Sequence, residues 1–179
     1  MTELDGRVWL RRELLRDGVT DPEIRSTVKS GQWTRVRRGA YCETSFWDGL
    51  SGADRHRLMC RAVLKVSHPS TVLSHVSSAI ERNAPVWGIA LDEVHTTRMD
   101  GRGGRRECGI VHHRGALEPD DVDVINGVPV TRAERCAVEV CAMTDVERAL
   151  ITVNGLLHAG QTSIDDIAAA AGDTRYWPD

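Results

Sequence analysis

An α+β fold is what the sequence predicts, and three observations carry it. Helix caps and glycine stops bracket both ends of the 179-residue chain. The centre holds short runs of β-branched residues, "DEVHTTR", "GIVHHRG", "VDVI" and "VPV". Asn126-Gly127 separates the last two runs and is a strong two-residue hairpin signal.

Taken in order, "RVWLRRELLRDG" reads as a helix with Val8, Leu14 and Leu15 inward and Gly18 as a left-handed stop. In "VTDPEIRSTVKSG", Asp21 is the expected N-cap, Pro22 the first helical residue and Gly31 the end. Ile24 and Val28, four apart, share the inward face, so Arg25, Ser26 and Lys29 point outward together. Two helices joined by a short glycine-containing turn make a helix-turn-helix. "WTRVRRGAY" follows as a strand, with a turn at Gly39. A helix pair followed by a basic strand is the order of a winged helix-turn-helix. Residues 1–48 are therefore expected to form that domain, with "TSFWDGLSG" as a loop into residues 49–179. The second part is expected to be a small α/β domain with a short antiparallel sheet and C-terminal helices. It opens with "ADRHRLMCRAVLKVS", a helix with Leu58, Ala62 and Val66 on one side and a basic stripe of Arg57, Arg61 and Lys65 on another, expected to be a solvated face, with contact to DNA as the alternative. Ser74 is expected to cap a short helix in "SHVSSAIERN". Capping boxes are expected at Thr131/Glu134 and Thr144/Glu147, a stop at Gly160, and a last helix in "SIDDIAAAAG". Trp177 and Pro178 are expected to lead into further structure.

Composition is that of a globular chain, 41% hydrophobic and 27% charged with a net charge of −3. No run approaches the length of a membrane span, and residues 1–20 fit neither a signal nor a transit peptide, so a cytoplasmic protein is expected. Charge is unevenly distributed. Residues 1–42 hold nine Arg or Lys against six Asp or Glu, the rest 14 against 20, and there is no carboxylate from Ile24 to Cys42. A basic patch on an acidic body is an electrostatic footprint for a polyanion.

Catalytic and metal chemistry is not read. The five cysteines, Cys42, Cys60, Cys108, Cys136 and Cys141, are odd in number and lack a CxxC pair, so they read as small hydrophobes. His112 and His113, adjacent on a strand, face opposite ways and cannot easily share a metal with Cys108. No nucleophile-elbow pattern surrounds Ser74-His75. Asp165 and Asp166 suit a helix N-terminus. Glu118, Asp120, Asp121 and Asp123 read as a solvated acidic loop. The glycines of "MDGRGGRRECG", a flexible basic loop, do not follow a strand-to-helix phosphate motif. No enzyme, cofactor or metal is therefore expected.

The segment "LRRELLRDGVTDPEIRSTVKSGQWTRVRRGAYC" resembles the N-terminal winged-helix domain of AbiEi-type antitoxins of type IV toxin–antitoxin systems. The resemblance continues through "VLSHVSSA", "VWGIALDEVHTTR" and "INGVPVTRAER", similar to the α/β domain that follows in that family. It implies a transcriptional repressor that binds double-stranded DNA near its own promoter and lowers expression of a nucleotidyltransferase-like toxin encoded nearby. Arg25, Ser26 and Lys29 would face the major groove, Arg35, Arg37 and Arg38 would form the wing, and Gln32 completes the expected DNA-binding set. Two departures from the family stand out: few residues precede the first helix, and similar sequences often continue into a Vsr-like nuclease domain. Two other readings stand beside this one, the DNA-targeting part of such a nuclease and a protein-interaction module that binds no DNA.

Overall fold

The structure, a computed structural model, describes Leu4 and residues 7–173. Trp177 and Pro178 lie outside the described residues. The chain forms two compact units, Met1–Ser67 and His68–Asp179.

The first unit runs β1 (Trp9–Leu10), α1 (Arg11–Arg16), α2 (Asp21–Lys29), β2 (Trp33–Arg37), β3 (Ala40–Glu43), α3 (Thr44–Asp48) and α4 (Gly52–Leu64). The strands make an antiparallel sheet in the order β1-β3-β2. The expected first helix is thus half strand: Trp9 pairs with Tyr41 and Leu10 with Ala40, and the helix begins only at Arg11. That shift of phase leaves Leu15 exposed, against expectation, while Val8 and Leu14 are buried. The expected loop at 44–52 carries α3. Leu58 and Ala62 of α4 share a core with Val8, Leu10, Val36, Ala40 and Cys42. Lys65 Nζ donates to the Val8 carbonyl at 2.8 Å and Arg12 Nη2 to the Lys65 carbonyl at 2.7 Å. These bonds and that core bind α4 into the first unit, so the division falls after Ser67 and not after residue 48. They also correct the reading of the basic stripe. Arg61 is buried, Arg57 is drawn in beside Asp54 at 2.7 Å, and Lys65 is tied to backbone. Val66 follows the end of α4 and is exposed, not inward.

The second unit holds β4 (Thr71–Leu73), α5 (His75–Glu81), β5 (Val94–Arg98), β6 (Arg105–Glu107), β7 (Ile110–His113), β8 (Val122–Ile125), β9 (Val128–Thr131), α6 (Ala133–Met143), α7 (Val146–His158) and α8 (Ile164–Gly172). Its strands form one sheet in the order β6-β7-β5-β4-β9-β8. The sheet is mixed, which corrects the antiparallel expectation: β5 runs parallel to β7, and β4 parallel to β9 through Leu73 and Val130. β4, three buried residues long, sits centrally, between β5 and the β8–β9 hairpin. Asn126 (φ +51°) and Gly127 (φ +79°) form the turn of that hairpin, as the sequence reads.

α5 is buried along its whole length and packs on α6. Ala79, Ala84, Ala133, Cys136, Ala137, Val140 and Leu156 form the core there. Small side chains let these helices approach closely. At Gly155, in mid-helix, a β-carbon would lie 2.1 Å from Pro85 Cδ, so only glycine fits. Two expected caps differ. Asp145, not Thr144, caps α7 through the Arg148 amide, and Thr131 donates to Glu139 at 2.9 Å in place of a box with Glu134. Ser163 and Asp166 do form a capping box on α8. Among the described residues no helix is long and apolar enough to cross a membrane.

Candidate nucleic-acid interface

α2 is held at its start by reciprocal capping. The Thr20 hydroxyl accepts from the Glu23 amide, and the Glu23 carboxylate takes the Thr20 amide at 2.7 Å. Thr20 rather than Asp21 is therefore the cap. Asp21 is free to pair with Arg11, whose Nε donates to it at 2.7 Å, and this hydrogen bond holds the Asp21 carboxyl below its ordinary range. The bridge ties the start of α2 to the start of α1. One side of α2 is then fixed by Ile24, buried against Leu14 and Tyr41, with Trp9, Val19, Val28 and Trp33 packed around them. Trp33 stands 5.5 Å from Trp9 and 6.5 Å from Tyr41, ring to ring, so an aromatic ladder backs the helix.

With Ile24 committed inward, helical periodicity turns Arg25, Ser26 and Lys29 outward, and all three are exposed. Gln32, past the glycine stop at Gly31 (φ +78°), is exposed too. β2 and β3 form a hairpin that turns at Arg38-Gly39, with a bulge at Val36 between Arg35 and Arg37. Arg35 and Arg38 are exposed and Arg37 is half-buried. Lys29 and Arg35 have no carboxylate partner among the described residues, whereas Arg37 and Arg38 each hold an interaction within the fold. All seven residues read from the sequence thus fall on α2, the link after it and the β2–β3 hairpin. The arrangement places cationic donors on a packed base, which suits phosphate and base-edge acceptors.

The second unit contains a polar cluster that the sequence did not announce. His95 Nδ1 and His113 Nε2 lie 2.9 Å apart, and the His75 ring stacks on His113 at 3.5 Å. Glu139 Oε2 accepts from the His75 amide and from the Thr131 hydroxyl, each at 2.9 Å, while Arg135 Nε donates to Oε1 at 2.9 Å. Burial pushes the His75 imidazole well below its usual range, takes His113 down to about 4, and raises Glu139. Ser74 stands at the N-cap of α5 but makes no cap bond. Its Oγ accepts from Thr97 at 2.9 Å and lies 3.0 Å from His75 Nδ1. This is a strand–helix corner with a serine beside a histidine, yet Ser74 is fully buried. His112 points away from this cluster, toward Thr96 and the opposite face, as adjacent strand residues must.

The acidic run is not simply solvated. Asp121 is buried 3.5 Å from Arg135, and Asp123 pairs with Arg82. Cys42, Cys60 and Cys136 are buried, and burial lifts the Cys136 thiol to about 12; Cys108 and Cys141 are exposed. Among the described residues no group of three His, Cys, Asp or Glu side chains converges on a metal position. Within the trio His75 stacks on His113, His95 and His113 meet through ring nitrogens, and His75 and His95 are tilted by 36°.

No known family model matches the chain, and no curated protein matches it either.

Proposed function

We propose that the protein is a cytoplasmic, sequence-specific DNA-binding regulator whose first unit works as a winged helix. In this reading α2 enters the major groove and the β2–β3 hairpin lies along phosphates. The observation that carries it is the face left open when Ile24 is buried: Arg25, Ser26 and Lys29 project together, ahead of a hairpin bearing Arg35, Arg37 and Arg38 in a stretch without acids. Lys29 and Arg35, exposed and with no carboxylate partner among the described residues, are available to release counterions from a phosphate backbone. Helical side chains carry sequence information, and wing cations mainly fix register.

The narrower form of the proposal is an antitoxin-like autorepressor that binds its own promoter region and lowers expression of a neighbouring toxin gene. That form rests on the resemblance of "RELLRDGVTDPEIRSTVKSGQWTRVRRGAY" to the AbiEi type. The protein acts here by binding, not by chemistry. The test is fluorescence anisotropy of the full chain with duplex from the region upstream of its gene and with a scrambled duplex of equal length. Tighter binding to the upstream duplex supports the regulator. Equal, weak binding to both removes sequence specificity, and magnesium-dependent cutting of either duplex points to the nuclease reading instead.

A further inference from the structure

The basic segment between β5 and β7 is not a free loop. Its second half is β6, which pairs with β7 as an edge strand. Its first half is pressed onto the end of β7. The Gly104 amide donates to the His112 carbonyl at 2.6 Å, and a β-carbon on Gly103 would lie 2.1 Å from the His113 carbonyl oxygen. Only glycine permits that approach, and the approach carries Arg102 to the face where Arg98 of β5, Arg105 of β6 and His112 of β7 stand. Together with Gly103 these four side chains line a cavity of about 50 Å³. A water needs about 10–15 Å³ on this measure, so the cavity holds a group of a few heavy atoms and no more.

Its chemistry is one-sided. Asp100 takes two donors of Arg98, and Glu107 lies 3.0 Å from Arg105. A guanidinium has five N–H donors, so each arginine keeps others. Arg102 has no side-chain partner among the described residues. Three arginines against two acids leave the pocket positive. At its wall His112 is nine-tenths buried, and its Nε2 has no hydrogen-bond partner, with Glu107 Oε1 at 3.5 Å as its ion-pair contact. A buried ring nitrogen without a hydrogen bond is uncommon and calls for an acceptor or donor that enters from outside. His112 Nδ1 lies 3.1 Å from the Thr96 hydroxyl. When that hydroxyl donates to Nδ1, the proton of the neutral ring sits on Nε2, at the cavity wall and 3.5 Å from Glu107 Oε1.

We propose that Arg98, Arg102, Arg105 and His112 form a binding site for a single phosphate-type oxyanion in the second unit. Arginine forks supply the planar, charge-assisted donors that phosphate oxygens favour, and His112 Nε2–H supplies the inner one. The site does not depend on the DNA-binding reading of the first unit. A free phosphate, the terminal phosphate of a nucleotide and a backbone phosphodiester share the chemistry.

The test follows the His112 ring nitrogens of the full chain by long-range ¹H–¹⁵N NMR. Inorganic phosphate is titrated at constant ionic strength held with sodium chloride, followed by thymidine 5′-monophosphate and a short DNA duplex. The expected result is a saturable shift of Nε2, weakened about tenfold for each of Arg102→Ala and Arg105→Ala. Both substitutions lie on exposed residues, and the unchanged amide spectrum of β4 and α6 checks the fold. A shift with phosphate and nucleotide alone assigns a small-molecule ligand; the same shift with duplex assigns a backbone phosphate. No shift with any of the three, a drift that chloride reproduces, or binding indifferent to both arginine changes overturns the proposal.

Discussion

Arg25, Lys29 and Arg35 in the first unit and Arg82 and Arg135 in the second are the same kinds of side chain put to opposite use. The first three stand exposed, and two of them lack any carboxylate partner among the described residues. The second two are buried and saturated. Arg82 gives the Thr131 carbonyl two donors, at 2.7 and 3.0 Å, and pairs with Asp123. Arg135 serves Glu139, the Ala116 carbonyl at 2.7 Å and Asp121. The difference teaches that basic residues in a sequence mark neither a binding face nor a structural strut. Burial and pairing decide. A cation whose donors are used inside the fold has none left for a ligand, while one left in water is cheap to keep and ready to bind.

The comparison breaks most visibly at Arg135. Its removal leaves Glu139 charged and uncompensated in the core, so Arg135→Ala is expected to destabilise the second unit by about 3–5 kcal/mol. Hydrogen exchange at α6 amides of the full chain reads this locally, and unchanged protection there would count against the strut. Next in size, Arg25→Ala and Lys29→Ala are each expected to cost about 1–3 kcal/mol of affinity on the preferred duplex and much less on random DNA. Their unfolding free energies should change by about 0.5 kcal/mol or less. A stability loss larger than the affinity loss would make them structural after all.

A third expectation concerns acid. Burial takes His113 down to about 4 in the fold against 6.5 ordinarily, and the neighbouring His112 adds to the shift. Between those values the unfolded chain holds more protons than the folded one, so this histidine's contribution is present above about 6.5 and is lost as pH falls toward about 4. Glu139, raised by burial, works in the opposite sense. The difference in urea stability between the wild type and His113→Asn isolates the histidine: the wild type should lose its lead through that window, and parallel pH curves would contradict it. The smallest effect is expected at Arg11→Ala. Its ion pair with Asp21 is fully solvated, so the unfolding midpoint of the first unit should stay where it is, and a clear drop would show that the bridge does more than orient α2.

How much of this was legible in the sequence depends on distance along the chain. α2 and the hairpin after it were readable because cap, glycine stop, apolar spacing and strand alternation all lie within about two dozen residues and agree. The α4 stripe misled because a four-residue repeat says that Arg57, Arg61 and Lys65 share a side, not which side meets the core. β4 is three residues buried on both faces and has no alternation to detect. β6 reads "RRE", with no apolar residue at all, and its turn uses Cys108 at φ +49°, where asparagine or glycine would have signalled it. The histidine cluster was out of reach for a different reason. Residues 75, 95, 113 and 139 come from separate elements, and only the mixed sheet order brings them together. The proposed oxyanion pocket had one clue in the chain, the paired glycines Gly103 and Gly104, because the backbone at Gly103 lies against the end of β7.

The proposed DNA binding rests on the exposed cations of the first unit and not on basic residues at large. The direct measurement is the salt dependence of affinity for duplex DNA in the wild type and in Arg35→Ala and Arg38→Ala, both at exposed wing positions. With three to five phosphates neutralised, the slope of log affinity against log salt should be about −3 to −4 and should flatten by about one unit for each lost contact, on preferred and random duplexes alike. A slope near zero in the wild type, no binding at low salt, or a slope untouched by both substitutions would contradict the account and leave "TRVRRGAY" as a solvated face.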